Sequence, residues 1–120
     1  MIKNLCLWRE TAATSIINDP LGPLWYRGLA GLAPEGTPPG TPRPPVRVEL
    51  DQMLAQRGIQ RIVIGHTPLL SGVAVLEDGH LARIDSGDSR AYGGHPGYVE
   101  IVSGRAVARP VARPAADGGK

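Results

Sequence analysis

A chain of 120 residues with 13 basic and 11 acidic side chains has room for one domain, and its formal net charge of +2 offers no basic face to a nucleic acid. A single cysteine, Cys6, excludes an internal disulfide and a thiolate zinc module, so a reducing cytoplasm is the expected compartment; no apolar run reaches the roughly 20 residues that span a bilayer. Gly 16 and Pro 12, set against two Trp, three Tyr and no Phe, leave little large apolar volume for a self-sufficient core, so the chain reads as part of something larger.

The first expected element is a helix, because Leu5, Trp8, Ala12 and Ile16 recur at intervals of three and four and Asn18-Asp19-Pro20 supplies its stop. Gly22-Pro23 then breaks regular structure ahead of Leu24-Trp-Tyr-Arg-Gly28, a loop or short turn that carries Arg27. From Ala33 to Pro45 six prolines in thirteen residues deny the backbone both ladder donors and helix, which makes this stretch an irregular or polyproline-like connector.

Beyond the connector, Val46, Leu50, Met53 and Leu54 form one helical stripe, and Gly58 stands where a left-handed residue closes a helix. Arg61-Ile-Val-Ile-Gly65 is a β-branched run without alternation, the pattern of a strand covered on both faces, and it stops at His66-Thr67-Pro68. Residues 72–77 and 80–85 flank Asp78-Gly79 and predict a hairpin with a two-residue turn. A Gly-rich loop over 86–97 leads to a second hairpin, Tyr98–Val102 and Arg105–Arg109, turning at Ser103-Gly104. The class is α/β, with one partial domain expected over 1–109, the 33–45 connector inside it, and a flexible tail over 110–120.

Functional groups in open α/β sheets collect at the carboxyl ends of strands, where the loops converge. His66 follows one such strand and Asp85 ends another, and Tyr92-Gly-Gly-His95 lies in the loop that Asp85 opens. A strand-end histidine is as readily a hydrogen-bonded structural residue as a ligand. Asp85 is more readily a loop cap, bonding backbone N–H groups, than a ligand. Arg27 suits an oxyanion through its planar fork of donors, though a lone arginine specifies nothing. His80 reads as a solvated residue after the turn. No pair of histidines four apart and no phosphate-cradling glycine motif occurs.

Three phrases in order, Gly22-Pro-Leu-Trp-Tyr-Arg-Gly28, Ile62-Val-Ile-Gly-His-Thr-Pro68 and Ile84-Asp-Ser-Gly87 with Tyr92-Gly-Gly94, resemble the C-terminal half of a calcineurin-like metallophosphoesterase, nearest the bacterial Shewanella-like Ser/Thr protein phosphatases. The resemblance runs from about Asp19 to about Val102. It implies half of an αββα sandwich, a mixed sheet with hairpins and flanking helices. It also implies a divalent metal pair (Mn, Fe or Zn), with His66 a ligand of one ion, Arg27 holding phosphate oxygens, and Asp85, Tyr92 and His95 forming the neighbouring wall. The substrate class implied is a phosphate ester or phosphoprotein.

The family's upstream phrases, Asp-x-His-Gly, Gly-Asp-x-x-Asp-Arg and Gly-Asn-His-Glu, and its further metal-binding His-Gly-Gly, have no counterpart here. Those phrases supply the remaining ligands and the general acid, so a C-terminal fragment inactive on its own is the expectation. The alternative is a non-catalytic remnant acting as a binding module through an exposed sheet edge. No nucleic-acid or membrane partner is expected.

Overall fold

In the computed structural model, residues 18, 19, 22, 24–34 and 36–113 are described. The expected first helix, and Cys6 with it, lie outside them. The chain divides into two compact units, Met1–Pro44 and Pro45–Lys120. The division falls at the end of the Pro-rich connector.

In the first unit the Trp-Tyr-Arg phrase bends back on itself. The amides of Trp25 and Tyr26 both reach the Gly22 carbonyl, at 3.2 and 2.9 Å. Arg27 then caps a 3-10 turn over Gly28–Ala30, its carbonyl accepting from Ala30 at 3.0 Å and Leu32 at 3.2 Å. A Cβ on Gly28 would overlap the outer end of the Tyr26 side chain, which would have to turn aside. The connector is a series of turns rather than one extended rod, with Thr37 N–H bonded to Pro34 and Thr41 N–H and Oγ1–H both bonded to the Pro38 carbonyl.

The second unit opens with helix α1, Val46–Arg57. Leu50 and Leu54, one turn apart, are its buried residues, and Leu50 is fully buried; burying such a side chain contributes roughly 1.5–3 kcal/mol. The helix ends in a Schellman arrangement: Gly58 takes φ 62°, its N–H points to Ala55, and Ile59 N–H bonds Leu54 at 3.2 Å.

Five strands follow, β1 (Ile62–Ile64), β2 (Ala74–Leu76), β3 (Leu81–Arg83), β4 (Gly97–Val102) and β5 (Arg105–Pro110). The first three form a mixed sheet in the order β1-β3-β2, with β1 parallel and β2 antiparallel to β3. Leu81 and Ala82 of the central strand are essentially inaccessible and anchor the core. The β4–β5 pair is an antiparallel ribbon that lies against β2 through β5. The observed class is mixed α/β.

Three features differ from the sequence expectation. Strand β1 is not covered on both faces: Val63 is 46% exposed while Ile62 and Ile64 are half-buried, and the strand also lies at the edge of the three-stranded sheet. Lack of alternation reports apolar residues on both faces, not what lies over them. The first hairpin turns over four residues, Glu77–His80, since Leu76 pairs with Leu81. Glu77, Asp78 and Gly79 all take positive φ there, and Arg47 of α1 holds Asp78 at 2.9 Å. Lastly, Pro110, placed in the tail by sequence, ends β5 opposite Gly97, and Val111 N–H bonds Pro96 at 2.9 Å. The second hairpin turns as expected, with Ser103 and Gly104 at φ 48° and 78°, the two left-handed residues of a type I′ turn.

Candidate functional site

Because β1 and β3 run parallel, their carboxyl ends emerge at one end of the sheet, and the loops after them meet there. Ile84 N–H donates to the Ile64 carbonyl at 3.0 Å, extending the ladder to the point where both strands give way to loop. Leu69 N–H then bonds the Asp85 carbonyl at 2.8 Å, and His95 N–H bonds that of Leu70 at 3.3 Å. The phrases around His66, Asp85 and Tyr92-Gly-Gly94 are thereby drawn into one cluster.

His66 is the sharp point of this cluster. It is exposed and takes φ 58°, a left-handed conformation that costs a non-glycine residue about 1–2 kcal/mol. The abrupt turn off β1 is made at the histidine itself, whereas Gly65 has room for a Cβ, its nearest neighbour being Ile84 at 3.9 Å.

Asp85 accepts a hydrogen bond from Gly87 N–H at 3.1 Å, an Asx turn of the capping kind. Tyr92 is 63% exposed, its Cβ packed beside Gly87. His95 directs Nδ1 to the Leu70 carbonyl at 2.9 Å and so clamps the two loops together. His80 does likewise with Gln60, at 2.7 Å, at the other end of β3.

Two arginines that sequence reasoning did not single out belong to this end of the sheet. Arg83 reaches the Thr67 carbonyl through Nη2 at 3.3 Å, while its Nε is buried with no acceptor. Alternation along β3 could have flagged it as the charged residue next to a buried Ala82. Arg113, from the expected tail, bonds the carbonyls of Asp88 and Gly94 at 2.9 and 2.7 Å. Nothing local in an Ala-Arg-Pro sequence signals that staple.

Arg27 is half-buried in the first unit, and His66, Asp85, Tyr92 and His95 all belong to the second. Two open grooves of about 420 and 480 Å³ lie along the β4–β5 ribbon and beside the two hairpin turns; none of those four residues lines either. Among the described residues no three His, Cys, Asp or Glu side chains gather in a metal-binding arrangement. No helix among the described residues is long and apolar enough to cross a membrane.

No protein-family model matches the chain, and no solved structure does. The chain is similar to an uncharacterised protein of the fission yeast Schizosaccharomyces pombe, 34% identical over 80 residues, which is 67% of this chain and 21% of the relative. It thus spans about a fifth of the length of that relative.

Proposed function

We propose that the chain is the C-terminal portion of a calcineurin-like phosphoesterase sandwich, in which His66 supplies one imidazole to a metal pair and Arg27 holds the phosphate oxygens of a phosphate ester or phosphoprotein. The observation that carries this reading is the backbone of His66. A left-handed φ at an exposed histidine, at the carboxyl end of a parallel pair, is strain placed where sites are built. The loop that Asp85 opens is bonded to the segment following His66, which supports Asp85, Tyr92 and His95 as the adjoining wall.

Completion of the metal pair is assigned to additional polypeptide, and the isolated chain is inactive. The cytoplasm is the compartment consistent with one thiol. The test reads the nucleotide sequence upstream of Met1 in all three frames: an Asp-x-His-Gly and a Gly-Asn-His-Glu phrase there support the reading, and their absence from every frame overturns it. In parallel, the purified chain with added Mn²⁺ is expected to leave p-nitrophenyl phosphate intact. Turnover that His66→Ala abolishes sinks the claim of inactivity.

A second reading, a non-catalytic interaction module, is favoured by a different observation, the edge of β1, which among the described residues has a strand partner on one side only.

A further inference from the structure

We infer that the outer edge of β1 is a self-complementary interface, on which a second copy of this chain adds antiparallel about a twofold axis through Val63. The register determines which groups face outward. Ile62 N–H bonds the His80 carbonyl, and the Ile64 carbonyl accepts from Ile84 N–H, so Ile62 and Ile64 spend their backbone groups on β3. In a parallel ladder the intervening residue then directs its N–H and C=O to the opposite side. Val63 is that residue, and among the described residues β1 has a strand partner on one side only.

Edges of this kind are ordinarily blunted by shortness, a charge, a proline or a bulge; β1 is short, at three residues, but Ile62-Val63-Ile64 carries no charge, proline or bulge. Its central residue, Val63, is 46% exposed. Two such edges fit each other without conflict. With Val63 opposite Val63 of the second copy, the two residues exchange both backbone hydrogen bonds, and Ile62 of each copy faces Ile64 of the other across the seam. Arg61 of each falls opposite Gly65.

The two Arg61 positions stand roughly 13 Å apart along the strand, beyond the screening length of about 8 Å at physiological salt. Each Arg61 guanidinium is also held on its own chain by the carbonyls of Gly79 and Gly104, which keeps it off the seam. The result is an isologous dimer with one continuous six-stranded sheet, β2-β3-β1-β1-β3-β2. This inference does not depend on the phosphatase reading.

Sedimentation equilibrium of the full chain over a range of concentrations is expected to show a monomer–dimer equilibrium. Val63→Lys is expected to abolish the dimer while retaining the far-ultraviolet circular dichroism of the native chain; should Val63→Lys fail to fold, a thiol cross-link replaces it. Opposed residues in a hydrogen-bonded antiparallel pair have Cα atoms about 5.5 Å apart, inside the disulfide range of about 4.4–6.8 Å. In a Cys6→Ser background, oxidised Val63→Cys is therefore expected to give a covalent dimer, and Val102→Cys, in the exposed ribbon, is not.

A chain that stays monomeric at every concentration overturns the proposal, and protection of the Val63 amide from hydrogen exchange in that monomer assigns the edge to another segment of the same chain. A dimer untouched by folded Val63→Lys, or one in which Val102→Cys cross-links and Val63→Cys does not, overturns it equally and moves the interface to the ribbon.

Discussion

Gly94 N–H donates to the Gly87 carbonyl at 2.9 Å, and the two backbones lie so close that a Cβ on Gly94 would overlap the Ser86 carbonyl oxygen. The obstacle is main chain, with no flexible side chain to move aside. Gly94→Ala is expected to force the two limbs of the 85–96 loop apart and to destabilise the second unit by about 1–3 kcal/mol. Urea denaturation of the two proteins checks this; equal midpoints would show that the limbs do not hold each other.

Removing packing from the helix has a different signature. Leu50 is fully buried, and Leu50→Ala leaves a cavity in a core with few large residues, for an expected loss of about 2–5 kcal/mol. The readout is again the denaturation midpoint, with the slope unchanged if the native state remains compact.

Gly58 isolates a pure backbone effect, because a Cβ there meets nothing within 4 Å while φ is 62°. Gly58→Ala should therefore cost about 1–2 kcal/mol from conformation alone. A thermal melt unchanged by Gly58→Ala would mean that α1 ends elsewhere in solution.

His66 allows a comparison that cancels the loss of its imidazole. His66→Ala and His66→Gly both remove the side chain, but only glycine relaxes a φ of 58°. His66→Gly is expected to be the more stable of the two by about 1 kcal/mol. Equal stability would remove the strain that supports a functional role for this residue.

The elements that could be read from sequence are those whose information is local. Gly58 closing a leucine stripe, and Ser103-Gly104 between two apolar runs, each specify a backbone conformation within a few residues, and both form as expected. Asp78-Gly79 misled for an instructive reason: Leu76 pairs with Leu81 across the strands, and that register decides the loop length over the local turn preference. The exposure of Val63 was not legible, since β-branched residues serve an edge strand as well as a central one. Of the candidate site, the position of His66 and Asp85 at strand ends was legible, but the parallel pairing that brings those two ends together was not, and the roles of Arg83 and Arg113 depend on contacts 16 to 25 residues distant along the chain.

The short turn at Ser103-Gly104 also orders events in time. Val102 and Arg105 meet after closing the smallest possible loop, whereas Ile62 and Leu81 must find each other across 19 positions in parallel orientation. Loop closure favours the near pair and delays the far one. The β4–β5 ribbon is therefore expected to form first, on the scale of about 1–10 μs for a hairpin, before Ile62-Val63-Ile64 gains its neighbour β3, and during that interval the most apolar of the described strands is open to any other chain it meets.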